Sequence, residues 1–360
     1  MRDIVIFIPS IEQGGVEKNL FYITNFIHKK FKNIYLVTAN KPKKKLAGKN
    51  IKFLSPRSDY FKNKNRFLKS LICSYLILKY FKDKKILIFS FQSNFFSIII
   101  SKLIRSKIII RLNTSPEKYI SNIFKKLFFK YLYKLADEII VNSYEFKQNL
   151  FRSLKIKSHV ILNPIKIKKI RKKKINFFGN FKGLKIISIG RLTDQKDHIT
   201  LFKALNLLKN KYNVKFKLFL IGQGYKFKML KNYIDEKMLN INVKMAGYKN
   251  DAFDYISSAD LIILSSKYEG LPNILIEAQY LGIPIISSNC PSGPKEILLN
   301  GKLGSLFNVG DYENLTKKIY NFYKNKKILK QKSILAKKYL YRFDYEKNLN
   351  KYFKLLNKHL

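Results

Sequence analysis

The stretch LIILSSKYEGLPNILIEAQYLGIPIISSN, residues 261–289, decides the fold of this chain. Its first six residues form an apolar run that predicts a buried strand of a parallel sheet. Pro272 stands where a helix takes its first residue, and Gly282 stands where that helix ends before a second strand at 285–288. The stretch therefore predicts a β-turn-α-β unit, the repeating element of a doubly wound α/β sheet.

Two glutamates lie at the strand-to-helix junction of this unit. Glu269 is in the turn, and Glu277 follows in the helix, roughly 7 Å farther along the helix axis at 1.5 Å per residue. Ligands of open α/β sheets bind outside the carboxyl ends of the strands, so both side chains can reach one ligand. Two acceptors at this separation suit a ribose at one end and a hexose at the other. Alternatively, acids near a helix start only complement the helix dipole, by about 0.3–1 kcal/mol each.

The longer string resembles a known donor site. E-x7-E followed by G-x-P-I-I-S-S and CPSGPKEIL is similar to the donor site of retaining glycosyltransferases of family 4, which have the GT-B fold. The resemblance implies an α/β chain of two Rossmann-like domains whose parallel sheets face each other across a cleft. It also implies that Glu269 and the amides of Gly270 and Leu271 hold the sugar, while Glu277 holds the ribose. It is continuous over about residues 184–310 and loose over the first half.

The overall composition is that of a large, folded and strongly basic protein. The 360 residues allow two domains of ordinary size, and 46% hydrophobic content excludes a disordered chain. Lys and Arg number 72 against 23 acidic residues, a formal net charge of +49. The excess predicts an anionic partner such as acidic lipid, nucleic acid or a pyrophosphate compound, unless it reflects a compositional bias toward Lys, Ile, Asn, Phe and Tyr. Near an anionic membrane each basic residue contributes on the order of 1 kcal/mol.

Cysteine usage and apolar runs indicate the compartment. Cys73 and Cys290 lie far apart without metal-ligand spacing, which fits a reducing compartment. The sequence shows no secretory signal, no run of about 20 apolar residues, and no D-x-D motif for a metal clamp. We therefore expect a cytoplasmic protein, peripheral on the inner face of the cell membrane. We expect no metal and no resident cofactor, with the nucleotide sugar as co-substrate.

The first half alternates apolar runs with helical patterns, which predicts a Rossmann-like domain over residues 1–164. The resemblance implies that this domain binds the acceptor. After its first strand, Gly14 and Gly15 permit close approach of a ligand and leave backbone N–H groups open to a phosphate, unless they form a plain turn. GGVEK resembles the family's N-terminal loop, which faces the donor pyrophosphate and the acceptor. The predicted strands are 4–8, 34–38, 51–54, 86–91, 108–112, 138–142 and 160–163, with helices near 16–29, 66–82, 93–104, 121–136 and 144–154.

Two residues on the acceptor side follow from the same resemblance. Many relatives have a histidine near the reacting bond, and the matching position here is Asn113, two residues after Arg111. Asn113 has no imidazole, so no general base is predicted there. Arg111 is expected to pair with a phosphate or an acceptor acid, or else to be a solvated arginine at a strand end.

The predicted helix at 122–135 carries one apolar stripe with lysines elsewhere. An apolar stripe at this period is most often a core face. The same pattern also suits a helix that lies on a membrane interface. The stripe comprises Phe124, Leu127, Phe128, Tyr131, Leu132 and Leu135.

A new series of strands and helices begins after a basic segment. Residues 165–183 read as a solvated linker that could also contact lipid head groups, and residues 184–340 as a second domain. The resemblance implies that this second domain binds the nucleotide sugar. G-R-L-x-x-Q-K from Gly190 to Lys196 matches the family's phosphate-binding motif. It implies that Arg191 and Lys196 hold the diphosphate, beside a helix capped by Asp194 or Asp197.

Glycines after two further strands complete the predicted donor site. By the resemblance, the turns at Gly222 and Gly247 border the nucleobase pocket. Residues 341–360 form a terminal amphipathic helix that is expected to cross back onto the first domain, as in the GT-B fold. We therefore predict a metal-independent, retaining hexosyltransferase. It moves a hexose or N-acetylhexosamine from a nucleotide sugar, predicted to be a UDP-sugar, to a saccharide or lipid-linked acceptor in bacterial surface glycan synthesis, with an anionic membrane surface as a further partner.

Other classes stay open at this point. A basic nucleic-acid-binding protein would explain the charge, but it should show a recognised module with interleaved aromatic residues, so no nucleic acid is expected as a partner. A nicotinamide oxidoreductase would share the sheet topology but needs G-x-G-x-x-G, which is missing. A catalytically inactive scaffold of a glycan assembly complex is a further alternative.

Overall fold

The structure is a computed structural model that describes residues 3–12, 14–40, 51–114, 122–166, 177–249 and 252–360. Two compact units make up the chain. The first comprises Met1–Pro164 together with Tyr345–Leu360, and the second comprises Ile165–Asp344. The predicted end of the second domain, residue 340, lies four residues before this boundary.

The described residues of the first unit contain one parallel sheet. Its strands are β1 (Asp3–Phe7), β2 (Ile34–Val37), β3 (Ile51–Leu54), β4 (Ile86–Ser90), β5 (Lys107–Arg111), β6 (Glu138–Val141) and β7 (His159–Val160). They lie in the order β3-β2-β1-β4-β5-β6-β7. The last strand was predicted at 160–163. The observed edge strand β7 is shorter, because it pairs with β6 only at His159 and Val160.

Helices cover both faces of this sheet, which explains why its strands read as continuous apolar runs. Alternate residues of β1 enter two different cores: Val5 and Phe7 pack on one face, while Ile4 and Ile6 pack on the other. The helices are α1 (Gly15–Ile27), α2 (Arg66–Phe81), α3 (Asn94–Leu103), α4 (Ile123–Lys134), α5 (Tyr144–Leu154) and, at the end of the chain, α13 (Tyr345–Asn357).

Helix α4 contradicts the expectation of a core-facing stripe. Phe124 is 78% exposed and Tyr131 is 64% exposed, whereas Leu132 and Tyr133 are buried. Tyr133 lies on the opposite side of the helix from Phe124 at 3.6 residues per turn. The helix therefore packs on its unit through the other side and leaves the stripe, apart from Leu132, on the surface.

The described residues of the second unit also form one parallel sheet. Its strands are β8 (Leu184–Ile189), β9 (Phe216–Ile221), β10 (Val243–Met245), β11 (Leu261–Leu264), β12 (Ile285–Ser288) and β13 (Ser305–Phe307). They lie in the order β10-β9-β8-β11-β12-β13. Strand β13 was not predicted, because it lies between Gly304 and Gly310, in a stretch whose glycines indicate turns.

The central unit quoted first is present as strand, turn, helix and strand. Its helix α9 (Asn273–Leu281) begins one residue later than predicted, since Pro272 is the residue that precedes the helix. Gly282 ends it in the left-handed conformation at φ 70°, as its sequence position indicates. The other helices of this unit are α6 (His198–Tyr212), α7 (Phe227–Glu236), α8 (Phe253–Ser257), α10 (Pro294–Ile297), α11 (Tyr312–Lys324) and α12 (Lys327–Lys338).

The predicted linker at 165–183 lies partly outside the described residues, which exclude 167–176. At one described end, Ile165 forms an isolated parallel bridge with Asp344. At the other, Phe178 is buried and packs edge-on against Phe219, with ring centroids 4.7 Å apart. Both described ends therefore join the second unit, Ile165 through its backbone and Phe178 through its ring, while Lys166, Gly179, Asn180 and Lys182 are exposed as predicted for a linker.

Candidate active site

The predicted glycines of the second unit meet at the carboxyl ends of β8 and β9. The backbone N–H of Gly222 donates to the carbonyl of Gly247 at 2.9 Å, and the N–H of Gly190 donates to Ile221 at 2.9 Å. A Cβ on Gly222 would lie 1.8 Å from the carbonyl oxygen of Gly190. At Gly222 the two loops approach too closely for a side chain, so backbone forms the surface at that point, whereas a Cβ on Gly247 would meet no atom within 4 Å.

The loop after β8 positions the two predicted cations. It forms a short 3-10 helix, Asp194–Lys196, and α6 begins two residues later at His198. Asp197 occupies the position before α6, and its carboxylate accepts a hydrogen bond from Thr200 Oγ1 at 2.7 Å. Asp194 instead contacts Lys226 and Tyr225. Of the two predicted caps, Asp197 therefore occupies the residue before α6, but its carboxylate accepts no backbone N–H of the helix, so the predicted capping hydrogen bond is not formed.

Lys196 and Glu269 form the centre of the site. The ammonium Nζ of Lys196 lies 2.5 Å from Oε1 of Glu269, and the two side chains are only 14% and 8% exposed. Ser266 Oγ donates to the same carboxylate oxygen at 2.6 Å. Among the described residues Oε2 of Glu269 has no hydrogen bond, so it is the oxygen that a ligand hydroxyl can reach.

Hydrogen bonds between the loop after β8 and the loop after β11 hold this ion pair in place. Gln195 Nε2 donates to the carbonyl of Tyr268 at 3.0 Å, and the N–H of Lys267 donates back to the carbonyl of Gln195 at 2.8 Å. Ser265 Oγ donates to the carbonyl of Lys196 at 3.0 Å. The loops after β8 and β11 are therefore joined through three hydrogen bonds, which hold Lys196 against Glu269.

Arg191 lies at the exposed edge of the same loop. Its Nη2 donates to Oε1 of Gln195 at 3.4 Å, and Gln195 directly precedes Lys196 in the chain. Gln195 belongs to the G-R-L-x-x-Q-K pattern, but the sequence analysis gave it no role. The contact of Ser266 with Glu269 was also not predicted. Its position three residues before Glu269, at the end of a strand, could have indicated it.

The turn that carries Gly270 and Leu271 packs against the loop after β12. A Cβ on Gly293, which has φ 101°, would lie 1.8 Å from the carbonyl oxygen of Gly270. Leu271 is buried, and Glu277 is buried one helical turn into α9. The predicted sugar and ribose anchors therefore lie on one rigid strand-turn-helix segment.

Two titratable side chains near the ion pair are uncharged. Burial, and secondly the Lys196 ammonium, lower the pKa of His198 to about 4, so its imidazole is neutral at pH 7. Burial, and secondly the Glu269 carboxylate, raise the pKa of the Cys290 thiol to about 12. Lys196, Glu269 and Arg191 therefore supply the charges of this cluster.

The predicted acceptor-side residues lie in the first unit, where Arg111 contradicts the expectation. Arg111 is 1% exposed, its Nε donates to Tyr352 Oη at 3.0 Å, and its Nη2 donates to Asn163 at 2.7 Å. The guanidinium is neither solvated nor accessible to a phosphate or acceptor acid, because α13 covers it. Asn113 donates to the carbonyl of Phe91 at 2.5 Å.

Gly14 and Gly15 lie at the start of α1, in the predicted turn of the first unit. Gly14 has an extended conformation, and a Cβ there would lie 2.9 Å from the carboxylate of Glu17. Glu17 is buried in the first turn of α1 and accepts a hydrogen bond from Gln92 at 3.2 Å. A carboxylate thus already lies at this helix start, and the predicted phosphate contact of the two glycines stays a prediction.

Two further surveys cover the part of the chain that the structure describes. Within it, no helix combines the length and apolar character needed to cross a bilayer. The described side chains also bring no group of three or more His, Cys, Asp or Glu residues together to hold a metal ion.

Comparison with known proteins identifies the family. Residues 170–356 match the family described as glycosyl transferases group 1, and the chain belongs to it. An uncharacterized glycosyltransferase of Methanocaldococcus jannaschii is 34% identical over 208 residues, covering 54% of this chain and 50% of that protein. The chain thus spans about half the length of that relative. The broader predicted relationship is confirmed, while membership of family 4 stays a prediction.

A second relative matches most of the chain. It is the N-acetylgalactosamine-N,N'-diacetylbacillosaminyl-diphospho-undecaprenol 4-alpha-N-acetylgalactosaminyltransferase of Campylobacter jejuni. It is 27% identical over 329 residues, covering 87% of this chain and 88% of that protein.

Solved structures confirm the predicted fold class. The crystal structure of Anabaena Alr3699/HepE in complex with UDP-glucose matches 99% of this chain and 100% of that chain, with a TM-score of 0.81 at 18% identity. The two parallel sheets and this likeness show the α/β GT-B fold.

Proposed function

We propose that this chain is a retaining glycosyltransferase that moves a hexose or N-acetylhexosamine from a UDP-sugar to a saccharide or lipid-linked acceptor. One observation carries the proposal: Lys196 and Glu269 meet at the carboxyl edge of the second sheet, where ligands of parallel sheets bind. The family supports the reaction class. The UDP-glucose complex of a structural neighbour supports the donor, and the lipid-linked name of the Campylobacter relative supports the acceptor.

In the proposed complex, the Lys196 ammonium and the Arg191 guanidinium hold the diphosphate. The free oxygen Oε2 of Glu269 and the amides of Gly270 and Leu271 hold the sugar, and Glu277 holds the ribose. Gly190, Gly222 and Gly247 provide the backbone surface beside the nucleotide.

The proposed reaction keeps the configuration of the sugar. The bond between the anomeric carbon and the β-phosphate oxygen breaks, and the acceptor oxygen bonds to that carbon on the same face. The acceptor proton passes to the departing phosphate. Two fixed cations stabilise the negative charge that grows on the leaving group, because they need no reorganisation as the charge develops.

The remaining parts of the proposal concern the setting. No metal and no resident cofactor take part, in keeping with a sequence that lacks D-x-D. The protein works in the cytoplasm, peripherally on the inner face of the membrane, in the assembly of a bacterial surface glycan. The net charge of +49 supports the attraction to an anionic surface.

The test begins with the purified full chain. Incubation with UDP-, GDP- and ADP-sugars and a saccharide acceptor is expected to release UDP from a UDP-sugar. The anomeric coupling of the product, read by NMR, is expected to match that of the donor. A product of opposite configuration would overturn the retaining mechanism, and the absence of transfer from every sugar nucleotide would overturn the activity.

Site variants then test the assigned residues. Glu269→Gln and Arg191→Ala are each expected to lower turnover at least about tenfold, about 1.4 kcal/mol of transition-state stabilisation. Glu236→Gln is the matched control, since it makes the same chemical change at an exposed carboxylate at the far end of α7. Turnover at the wild-type level in Glu269→Gln, or an equal loss in Glu236→Gln, would remove the assigned role.

A further inference from the structure

Three helices of the first unit expose apolar side chains that no described residue covers. On α4 they follow i, i+3, i+4 and i+7 spacing, so they lie on one face. On α2 and α3 they include Phe67, which is 58% exposed, and Leu103, which is 67% exposed. We call this surface the α2–α4 patch; its members are Phe67, Phe95, Leu103, Phe124, Phe128 and Tyr131.

Aromatic contacts join the three helices into one surface. The ring of Phe67 lies 5.3 Å from that of Phe96, Phe96 lies 5.3 Å from Phe95, and Phe95 lies 5.8 Å from Phe128. The exposed side chains of α2, α3 and α4 are therefore continuous. A contiguous apolar surface of this kind marks an interaction site more often than isolated exposed residues do.

The charged residues of the three helices have a single sign. The three helices carry three basic residues in α2, one in α3 and four in α4, and no acidic residue. On α4, Lys125 and Lys134 lie on the two sides of the apolar face at 3.6 residues per turn, while Lys126 and Lys130 lie farther round the helix. The surface is thus complementary to a partner that is anionic outside and apolar beneath.

We infer that the α2–α4 patch docks the protein onto an anionic lipid bilayer. The aromatic and leucine side chains enter the boundary between head groups and acyl chains, while the lysines contact the lipid phosphates. A second copy of this chain is disfavoured, because two such patches would bring like charges together. Nucleic acid would match the lysines but would leave the aromatic face in water. The inference deepens the membrane setting of the proposed function and rests on that part of it.

Cosedimentation with vesicles tests the inference. Wild-type protein is expected to bind vesicles of phosphatidylcholine containing about one third phosphatidylglycerol at least about tenfold more tightly than vesicles of phosphatidylcholine alone. The double variant Phe124→Ser and Phe128→Ser is expected to lose at least about tenfold in affinity for the anionic vesicles. Lys125→Glu with Lys134→Glu, the two lysines that flank the apolar face of α4, is expected to lose affinity and to weaken the salt dependence of binding.

Helix α12 provides matched controls in the second unit. It has 12 residues, as α4 does, and carries five lysines and no acidic residue, but its exposed large apolar side chains are Ile328 and Ile334 alone. Two control variants remove apolar side chains or positive charge from this other surface. They are Ile328→Ser with Ile334→Ser, and Lys327→Glu with Lys330→Glu. Both control variants are expected to bind vesicles as the wild type does.

Several results of these experiments would overturn the inference. Equal vesicle binding by the wild type and the phenylalanine variant would overturn the inference, as would a wild type that does not bind anionic vesicles. Dimerisation without lipid, or duplex binding, that the phenylalanine variant abolishes would also overturn it, because the occupant would then be a second copy or nucleic acid. Circular dichroism checks that the variant is folded.

Sugar transfer to a lipid-free saccharide acceptor separates this inference from the proposed function. The phenylalanine variant is expected to keep that activity while it loses affinity for anionic vesicles. If the wild type transfers no sugar, the enzyme assignment is wrong. The vesicle measurements then still decide the docking inference, because they do not depend on sugar transfer.

Discussion

Gly222 shows what a single residue contributes to the site. Its backbone has φ 152°, and a Cβ there would lie 1.8 Å from the carbonyl oxygen of Gly190. Both the backbone conformation and the space require glycine. The resemblance assigns this residue to the nucleobase pocket, whereas its geometry explains its identity by the packing of two loops.

Gly222→Ala is therefore expected to destabilise the protein by about 1–3 kcal/mol, the usual cost of overpacking, and more if the loops cannot separate. Urea unfolding measures this cost through the midpoint and slope. Gly310→Ala is the control, because Gly310 has φ 80° and no atom within 4 Å of its added Cβ. Equal costs at both positions would show that backbone strain alone, and not the close approach to Gly190, requires the glycine.

His198 links the stability of the second unit to pH. Its pKa is lowered from 6.5 to about 4, so the unfolded chain binds a proton that the folded chain does not bind between these values. The stability that neutral His198 contributes is therefore fully present above pH 6.5, and it is lost as the pH falls from 6.5 to about 4. The loss is about 3 kcal/mol at about 1.4 kcal/mol per pH unit.

A His198→Gln variant isolates this contribution. Urea unfolding between pH 7 and pH 4 is expected to show a steeper loss of stability for the wild type than for the variant. The carboxylates titrate in both proteins and cancel in the comparison. Parallel pH profiles would mean that the folded state protonates His198 as readily as the unfolded state does.

At the scale of an element, α13 completes the first unit. Leu349, Tyr352 and Leu356 of α13 are fully buried in the core that also contains β1 and α1. Tyr352 accepts the hydrogen bond from Arg111, which stands 241 residues earlier in the chain. The last helix therefore both fills a core and supplies the acceptor for the Nε of a buried arginine at the end of β5.

Tyr352→Phe is expected to cost about 1–3 kcal/mol, since the buried Arg111 Nε loses its acceptor while the ring still fills its space. The midpoint of urea unfolding gives the measurement. Tyr144→Phe is the matched control in the same unit, because Tyr144 is 57% exposed at the start of α5. A neutral Tyr352→Phe would show that the hydrogen bond to Arg111 contributes nothing to the unit.

At the scale of the whole molecule, the dominant electrostatic term is self-repulsion. The net charge of +49 leaves most basic residues without an acidic partner. Raising NaCl from low concentration to about 0.15 M shortens the screening length to about 8 Å. The thermal midpoint of the ligand-free protein is expected to rise by about 2–4 °C for each 1 kcal/mol of repulsion that is screened.

Differential scanning calorimetry across an NaCl series checks this expectation. Phosphate and sulfate are left out of the series, because they could bind at Lys196 and Arg191 and stabilise the protein as ligands. A midpoint that falls with NaCl would show that attractive ion pairs, such as Lys196 with Glu269, outweigh the repulsion.

The amino-acid sequence alone determined the order of strands and helices, the turn glycines and the family pattern around Glu269. These features depend on near neighbours along the chain: apolar runs form buried strands, and Gly282 ends a helix because its own backbone adopts φ 70°. Strand β13 was not predicted because Gly304 and Gly310 enclose it and indicate turns, although its neighbours in space make it a strand.

Only the tertiary structure decided which distant residues meet and which faces are covered. Lys196 and Glu269 are 73 residues apart and become an ion pair because β8 and β11 are neighbours in the sheet. Arg111 is buried because α13 returns to the first unit, and the stripe of α4 is exposed because that helix packs through its other side. Pattern along the chain fixes local conformation, whereas burial and partners depend on which elements come together in space.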